Sequence, residues 1–259
     1  MGWNGRDMTH VLIATPTAGG VVKALYATTL VKTVKAVTDA GWGVDFVTVD
    51  GSYISKARNY FASVLLARPH FTHLVMIDSD MSVEGQVICR LIRCDKPVVA
   101  AAYSQRRMDL DTFARAARNP ELAPADLTAL ALDYNLQPEP EAGTRQVRVV
   151  DGMCRVTQAA LGCAAIRRDA FESLIAAGVV RPRPDRFLQR AGFEGPFHGF
   201  FDEITLEDGD VLSEDYSFCK RWRSVPGNEI WAVVDEPIGH VGDMVYGAPY
   251  LNRLLQGRA

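Results

Sequence analysis

An α/β fold is predicted for this chain: a mainly parallel central sheet flanked by helices, with a smaller mixed sheet towards the C-terminus. Three observations lead there. Short apolar runs alternate with longer stretches of helical spacing through the first hundred residues. Polar or functional residues, Thr15, Asp50, Asp80 and Tyr103, stand at the ends of those runs. The length of 259 residues, 48% hydrophobic and 23% charged, suits one globular domain over 1–259.

Each element has its own warrant. His10-Val-Leu-Ile-Ala-Thr15 is an apolar strand ending at Pro16. After the Thr17-Ala-Gly19-Gly20 loop, residues 21–40 carry apolar side chains at helical spacing, and Gly41-Trp-Gly43 stops the helix. Val44-Asp-Phe-Val-Thr-Val49 is the next strand, so strand, helix and strand make a parallel βαβ unit. A second helix covers 52–67, with Ser52 or Ser55 as candidate cap and Lys56, Arg58 and Asn59 near its start, where anions are favoured. Leu74 to Ile77 is a buried strand, a third helix runs from Ser82 to Arg93, and Lys96 to Tyr103 is a fourth strand.

The pattern breaks from Ser104 to about Arg145, where prolines and alternating charges indicate an insertion or loop around a short helix at 125–134. Strands are expected over 145–150 and 156–166, and a helix over 170–177. Residues 180–199 read as an arginine- and phenylalanine-rich loop. A hairpin turns at Asp208-Gly-Asp210, and Ser213 caps a helix that begins Glu214-Asp215. A strand follows over 229–234, then Pro237-Ile-Gly-His240-Val-Gly242 and an amphipathic segment through Leu255. The organisation expected is an alternating strand–helix half, 1–103, a variable insertion, 104–145, and a C-terminal half, 146–259.

The composition excludes several classes. The net charge of −3 signals no global affinity for nucleic acid. Five cysteines without a C-x-x-C spacing argue for reduced thiols rather than a disulfide framework or zinc knuckle. No signal-peptide core, myristoylation pattern or membrane-spanning run is present, so a cytoplasmic protein without stable membrane insertion is expected. Gly19-Gly20 is neither a dinucleotide fingerprint nor a Walker loop.

The chemistry concentrates at Asp78-Ser79-Asp80. Two carboxylates at the C-terminal end of a buried strand lie where open α/β sheets place ligands, and they can share a hard divalent cation. Asp109-Leu-Asp111 and Asp208-Gly-Asp210 repeat the tripeptide, but not after such a strand. Asp80, Asp78 and His240 are candidate ligands; carboxylate with imidazole suits Mn²⁺, then Mg²⁺. Such a cation neutralises a diphosphate leaving group. Glu214 and Asp215 are candidate catalytic carboxylates, although a helix start favours acidic residues for dipole reasons alone. A nucleotidyltransferase-type enzyme uses a similar metal site, and a non-catalytic nucleotide- or carbohydrate-binding module is the other alternative.

Taken in order, Val11 to Pro16, Ile54 to Asn59, Leu74 to Asp80, Gly162 to Arg168, Ser213 to Cys219 and Gly239 to Gly242 resemble glycosyltransferases of the GT-A (Rossmann-like) fold. The resemblance covers most of the chain outside 104–145. It implies a metal-dependent transfer of a sugar from a UDP- or GDP-sugar donor to an acceptor hydroxyl. By position, Asp78 contacts ribose and metal, Asp80 and His240 ligate the metal, and Thr15, Pro16 and Asp50 cradle the nucleoside. Arg58 lies near base or phosphate, and Asp215 is the acidic residue that serves inverting members as general base. The Thr-Pro opening is closer to the mannan-polymerase-like group, whose members retain configuration; there Asp215 orients acceptor or sugar instead. The loops at 104–118 and 181–190 are candidate acceptor contacts or lids. The acceptor is a glycan or another hydroxyl-bearing molecule. Arginines 106, 107, 115, 118, 181, 183 and 186 admit a modified nucleic-acid base, with solvated loop charge the favoured reading.

Overall fold

The computed structural model describes residues 8–51, 53–185 and 193–243. Ser52 as a cap, Arg186, Phe187 and Arg190 of the aromatic loop and the segment leading to Leu255 therefore lie outside the described residues.

The chain begins β1 (His10–Thr17), α1 (Ala24–Asp39), β2 (Gly43–Asp50), α2 (Ile54–Ala67), β3 (His73–Ile77), β4 (Met81–Ser82), α3 (Gly85–Arg93) and β5 (Val98–Ala101). The insertion holds β6 (Ser104–Met108), α4 (Leu110–Ala116), α5 (Pro124–Ala131), β7 (Leu132–Tyr134), β8 (Leu136–Pro138) and β9 (Val149–Val150). It is followed by β10 (Met153–Ala159), β11 (Cys163–Arg167), α6 (Arg168–Ala176), β12 (Pro182–Arg183), β13 (Phe197–His198), β14 (Ile204–Thr205), β15 (Val211–Leu212), α7 (Glu214–Arg223), β16 (Ile230–Val233) and β17 (Gly239–His240).

The central sheet runs β2-β1-β3-β11-β5-β16-β10-β8, with β9 beside β10. β1 is parallel to β2 and β3, and β16 is parallel to β5. β11 inserts antiparallel between β3 and β5, pairing Cys163 with Ile77 and Ala164 with Ala100. β10 and β16 extend this same sheet, so the separate C-terminal sheet expected from sequence is corrected: among the described residues the remaining strands form two-stranded ribbons.

Strand alternation divides the core into two layers. On one face Leu12, Ala14, Leu74 and Met76 pack with α2, α6 and α7 through Phe61, Phe171 and Phe218. On the other Val11, Ile13, Val75 and Ile77 pack with α1 and α3 through Tyr26, Val37 and Ile88. α1 and α3 approach closely because Gly85 has no Cβ, which would collide with the Lys32 carbonyl.

The insertion is folded, not a loop, between Ser104 and Pro138: β6 pairs antiparallel with β7 and encloses α4 and α5. The strand expected over 145–150 shrinks to Val149–Val150, and the one over 156–166 divides into β10 and β11. The five cysteines are all unpaired, and Cys89, Cys154, Cys163 and Cys219 are buried, as reduced core thiols are.

Candidate functional site

The parallel strands β1, β2 and β3 deliver their C-terminal ends to one edge of the sheet. Beyond β3 the chain turns through Asp78-Ser79-Asp80 into β4, and β17 pairs back onto β4 with His240 opposite Met81. Val241 donates its amide to the Asp80 carbonyl at 2.8 Å. Residues 160 positions apart are thus brought to one place by main-chain pairing, and His240 Nε2 stands 3.4 Å from Asp80 Oδ2. Its Nδ1 lies 2.8 Å from the Ser104 carbonyl, which only a protonated Nδ1 can satisfy. In neutral His240 that leaves the lone pair on Nε2, towards Asp80. Burial disfavours imidazolium, but the hydrogen bond to Asp80 and the Ser104 carbonyl prevail and raise the His240 pKa. Asp80 responds inversely: burial pushes it up, while His240 and Arg106 bring it below its ordinary value. Arg106 Nη1 reaches Asp80 Oδ2 at 2.9 Å from β6.

Asp78 faces a different partner. Its Oδ2 is 3.3 Å from Arg58 Nη2, and its buried Oδ1 has no hydrogen-bond partner. Arg58 is 1% exposed, and its Nε lies 3.3 Å from both Glu214 Oε1 and Asp215 Oδ1. Nη1 donates to the Leu161 carbonyl at 3.2 Å. Burial opposes the Arg58 charge, but Asp215, Asp78 and Glu214 together hold it protonated. One guanidinium cannot neutralise three carboxylates. Burial raises Asp78, and burial with Glu214 and Asp78 nearby outweighs Arg58 and pushes Asp215 up to about 7. Asp215 Oδ2 accepts the Leu161 amide at 3.0 Å, and Ser213 caps α7, placing both acidic residues in its first turn.

Gly162 makes the close approach possible. A Cβ there would lie 2.5 Å from both Asp78 Oδ2 and Tyr103 Oη. Tyr103 accepts the Gly162 amide at 3.1 Å and packs edge-on against His240 at 5.2 Å. Burial and the charges of Asp78 and Asp215 raise its pKa well above that of an ordinary phenol.

The structure therefore brings Asp78, Asp80, Glu214, Asp215 and His240 to one sheet edge. It corrects two other expectations. Arg58 has no surface for a base or phosphate, because three carboxylates surround it. Thr15 is fully buried, its hydroxyl bonded to Tyr26 and to the Ile77 carbonyl at 2.8 Å, so it fastens the strand end rather than offering an open contact. Asp50 is exposed and accepts the Gly20 amide at 2.9 Å; Pro16, half-buried, pairs with Val49. Lys23 donates its amide to the Ser79 carbonyl at 2.9 Å, laying the Gly19-Gly20 loop against the Asp78–Asp80 turn. The other two Asp-x-Asp copies are structural: Asp109 caps α4, and Asp208 forms a turn with the Asp210 amide. Sequence placed Arg106 only among the loop arginines of a candidate acceptor contact and did not link it, Tyr103, Ser104 or Gly162 to the acidic turn; Tyr103 and Gly162 carried a faint signal, a strand end and a glycine amid small residues.

The residues fit a divalent cation in part. Asp80 and His240 present facing oxygen and nitrogen donors, and Asp78 Oδ1 is an unpartnered buried oxygen. Arg106 already holds the same Asp80 oxygen. Among the described residues, the His/Cys/Asp/Glu atoms that converge in a group of three are those of His10, Asp45 and His70, elsewhere in the fold.

No protein-family model and no curated protein sequence matches this chain. Among solved structures, A197 from STIV aligns with a TM-score of 0.45 at 13% identity, covering 91% of this chain and 87% of that one. The 4-diphosphocytidyl-2C-methyl-D-erythritol synthase of Anaerococcus prevotii aligns with a TM-score of 0.41 at 8% identity, covering 88% of this chain and 90% of that one. At these scores neither likeness assigns a ligand or a reaction. No described helix is long and apolar enough to cross a membrane.

Proposed function

We propose that the chain is a metal-dependent glycosyltransferase of GT-A type, moving a sugar from a UDP- or GDP-sugar to an acceptor hydroxyl. One observation carries the reading: Asp78, Asp80 and His240 meet Glu214 and Asp215 at the C-terminal edge of parallel strands, where such sheets bind ligands. Asp80 and His240 would hold Mn²⁺ or Mg²⁺, with Asp78 Oδ1 as a further donor. Bound there, the cation supplies charge neutralisation to a departing diphosphate. Arg106 balances the Asp80 charge otherwise, so cation and guanidinium compete for one oxygen.

The chain's own chemistry lies in the carboxylates around Arg58. Asp215, with a pKa near 7, can accept a proton from an acceptor hydroxyl at neutral pH, which suits a general base. Arg58 and the Leu161 amide fix its orientation. Asp50 and the adjoining glycine loop are the exposed groups for a nucleoside.

Nucleotidyl transfer is the second reading, favoured by the position of that loop. Gly19 and Gly20 take positive φ values of 68° and 67°, and Lys23, after two valines, lies beside the acidic turn with its Nζ 2.9 Å from Asp243. A phosphate there would exchange with Asp50 for the Gly20 amide and with Asp243 for the Lys23 ammonium. A thermal-shift panel of UDP-, GDP-, CMP- and dTDP-sugars, together with CTP and UTP, with and without Mn²⁺, separates the readings. Stabilisation by a diphosphate sugar only with Mn²⁺, absent in Asp80→Ala, supports glycosyl transfer. A response to nucleoside triphosphates with pyrophosphate release supports the second reading, and silence towards all of them defeats both.

A further inference from the structure

We propose a second, independent metal site at the opposite edge of the sheet, built by His10, Asp45 and His70 and suited to Zn²⁺. His10 opens β1, Asp45 lies near the start of β2, and His70 stands in the turn that leads through Phe71 and Thr72 into β3. These are the N-terminal ends of strands whose C-terminal ends carry Asp50 and Asp78, so the group is separate from the site described above.

The three side chains bring their ligand atoms to one place. His10 Nε2 is 3.0 Å from Asp45 Oδ2, and His70 Nε2 is 3.9 Å from the same oxygen. One ligand atom from each residue lies within 4.8 Å of the others. Tetrahedral zinc with bonds of about 2.0–2.1 Å has ligand atoms roughly 3.3–3.4 Å apart, so side-chain rotations suffice to close the set. Two imidazoles and one carboxylate are a borderline nitrogen and oxygen donor set. It favours Zn²⁺ over the hard cations expected at Asp80, and it leaves a fourth position for water.

The ligands are also pre-positioned. A Cβ at Gly43 would lie 2.6 Å from His10 Nδ1, so the glycine opposite His10 in the β1–β2 register provides the room its ring occupies. The imidazoles of His10 and His70 stand 4.8 Å apart, both against the buried ring of Phe71. The turn bearing His70 is fastened by Arg168, which donates to the carbonyls of Leu65, Leu66, Arg68 and Phe71. A ligand on a turn held this firmly loses little freedom on binding. The three side chains are partly exposed, so an ion can enter.

The test is calorimetric titration of the full chain carrying Asp80→Ala and His240→Ala with ZnCl₂, with MgCl₂ as control. One equivalent of Zn²⁺ is expected to bind, with no response to Mg²⁺. Adding His70→Ala or Asp45→Ala should weaken that binding at least ten-fold while circular dichroism stays unchanged. If the double variant misfolds, the same measurement uses the unaltered chain, where His70→Ala should remove one bound Zn²⁺. Absence of Zn²⁺ binding, or affinity and stoichiometry unchanged by both His70→Ala and Asp45→Ala, overturns the proposal.

Discussion

At Arg58 a single guanidinium is set against Asp78, Glu214 and Asp215 in a space nearly closed to water. Removing it leaves three carboxylates without their counter-charge, and breaking a buried pair from one side typically costs about 3–5 kcal/mol. Arg58→Met should lower stability by that order at pH 8, read from urea midpoints. The loss should shrink at pH 5, where Asp215 takes up a proton. Asp215 gives the complementary experiment. Its folded pKa, about 7, exceeds the ordinary carboxyl value of 3.8. The folded state therefore binds more protons than the unfolded state between those values, and stability falls as pH rises through that window. Asp215→Asn should flatten this fall in stability between pH 4 and 7. It should also lower the transfer rate by about 10²–10⁴-fold, as loss of a general base does, with donor binding retained. A rate left intact would remove Asp215 from the chemistry.

Among the elements, the alternation of strand and helix to residue 101 was legible because burial on both faces demands continuous apolar strands, and Val75, Met76 and Ile77 are fully buried. The Ser213 cap and the Asp208 turn were legible because their chemistry is local. Order along the chain pointed to His240 beside Asp80, and the two side chains stand 3.4 Å apart. What sequence could not show is direction across space. Arg58 looks like a solvated or phosphate-facing cation at a helix start, and only its contacts with the Leu161 carbonyl in the β10–β11 junction and with Glu214 at the start of α7 hold it inwards. Arg106 reads as loop charge until β6 pairs with β7 and carries it to Asp80. The β10–β11 junction gives an element-scale prediction. Gly162→Ala inserts a methyl between Asp78 and Tyr103, and overpacking of this kind costs about 1–3 kcal/mol. The protein should stay folded by circular dichroism, with metal-dependent nucleotide binding weakened; unchanged binding would show that Asp78 needs no such close support.

Over the whole molecule, β6 ties the insertion to the edge that bears the acidic turn twice: Ser104 orients His240, and Arg106 engages Asp80. The reach of the sheet has a consequence for synthesis. β3 and β5 are separated by β11, a strand translated some sixty residues after β5, and β16 arrives later still. Until β11 leaves the ribosome, β3 and β5 each present an open edge of apolar backbone, the kind of edge that recruits strands from other chains. A fragment ending at residue 103 should therefore aggregate or bind a hydrophobic dye rather than fold, and a monomeric fragment with a cooperative urea transition would contradict this. Pairings so distant in sequence also slow folding. The nascent chain must wait for its C-terminal half before Glu214, Asp215 and His240 can join Asp78 and Asp80, so a truncated translation product would carry the acidic turn without its partners.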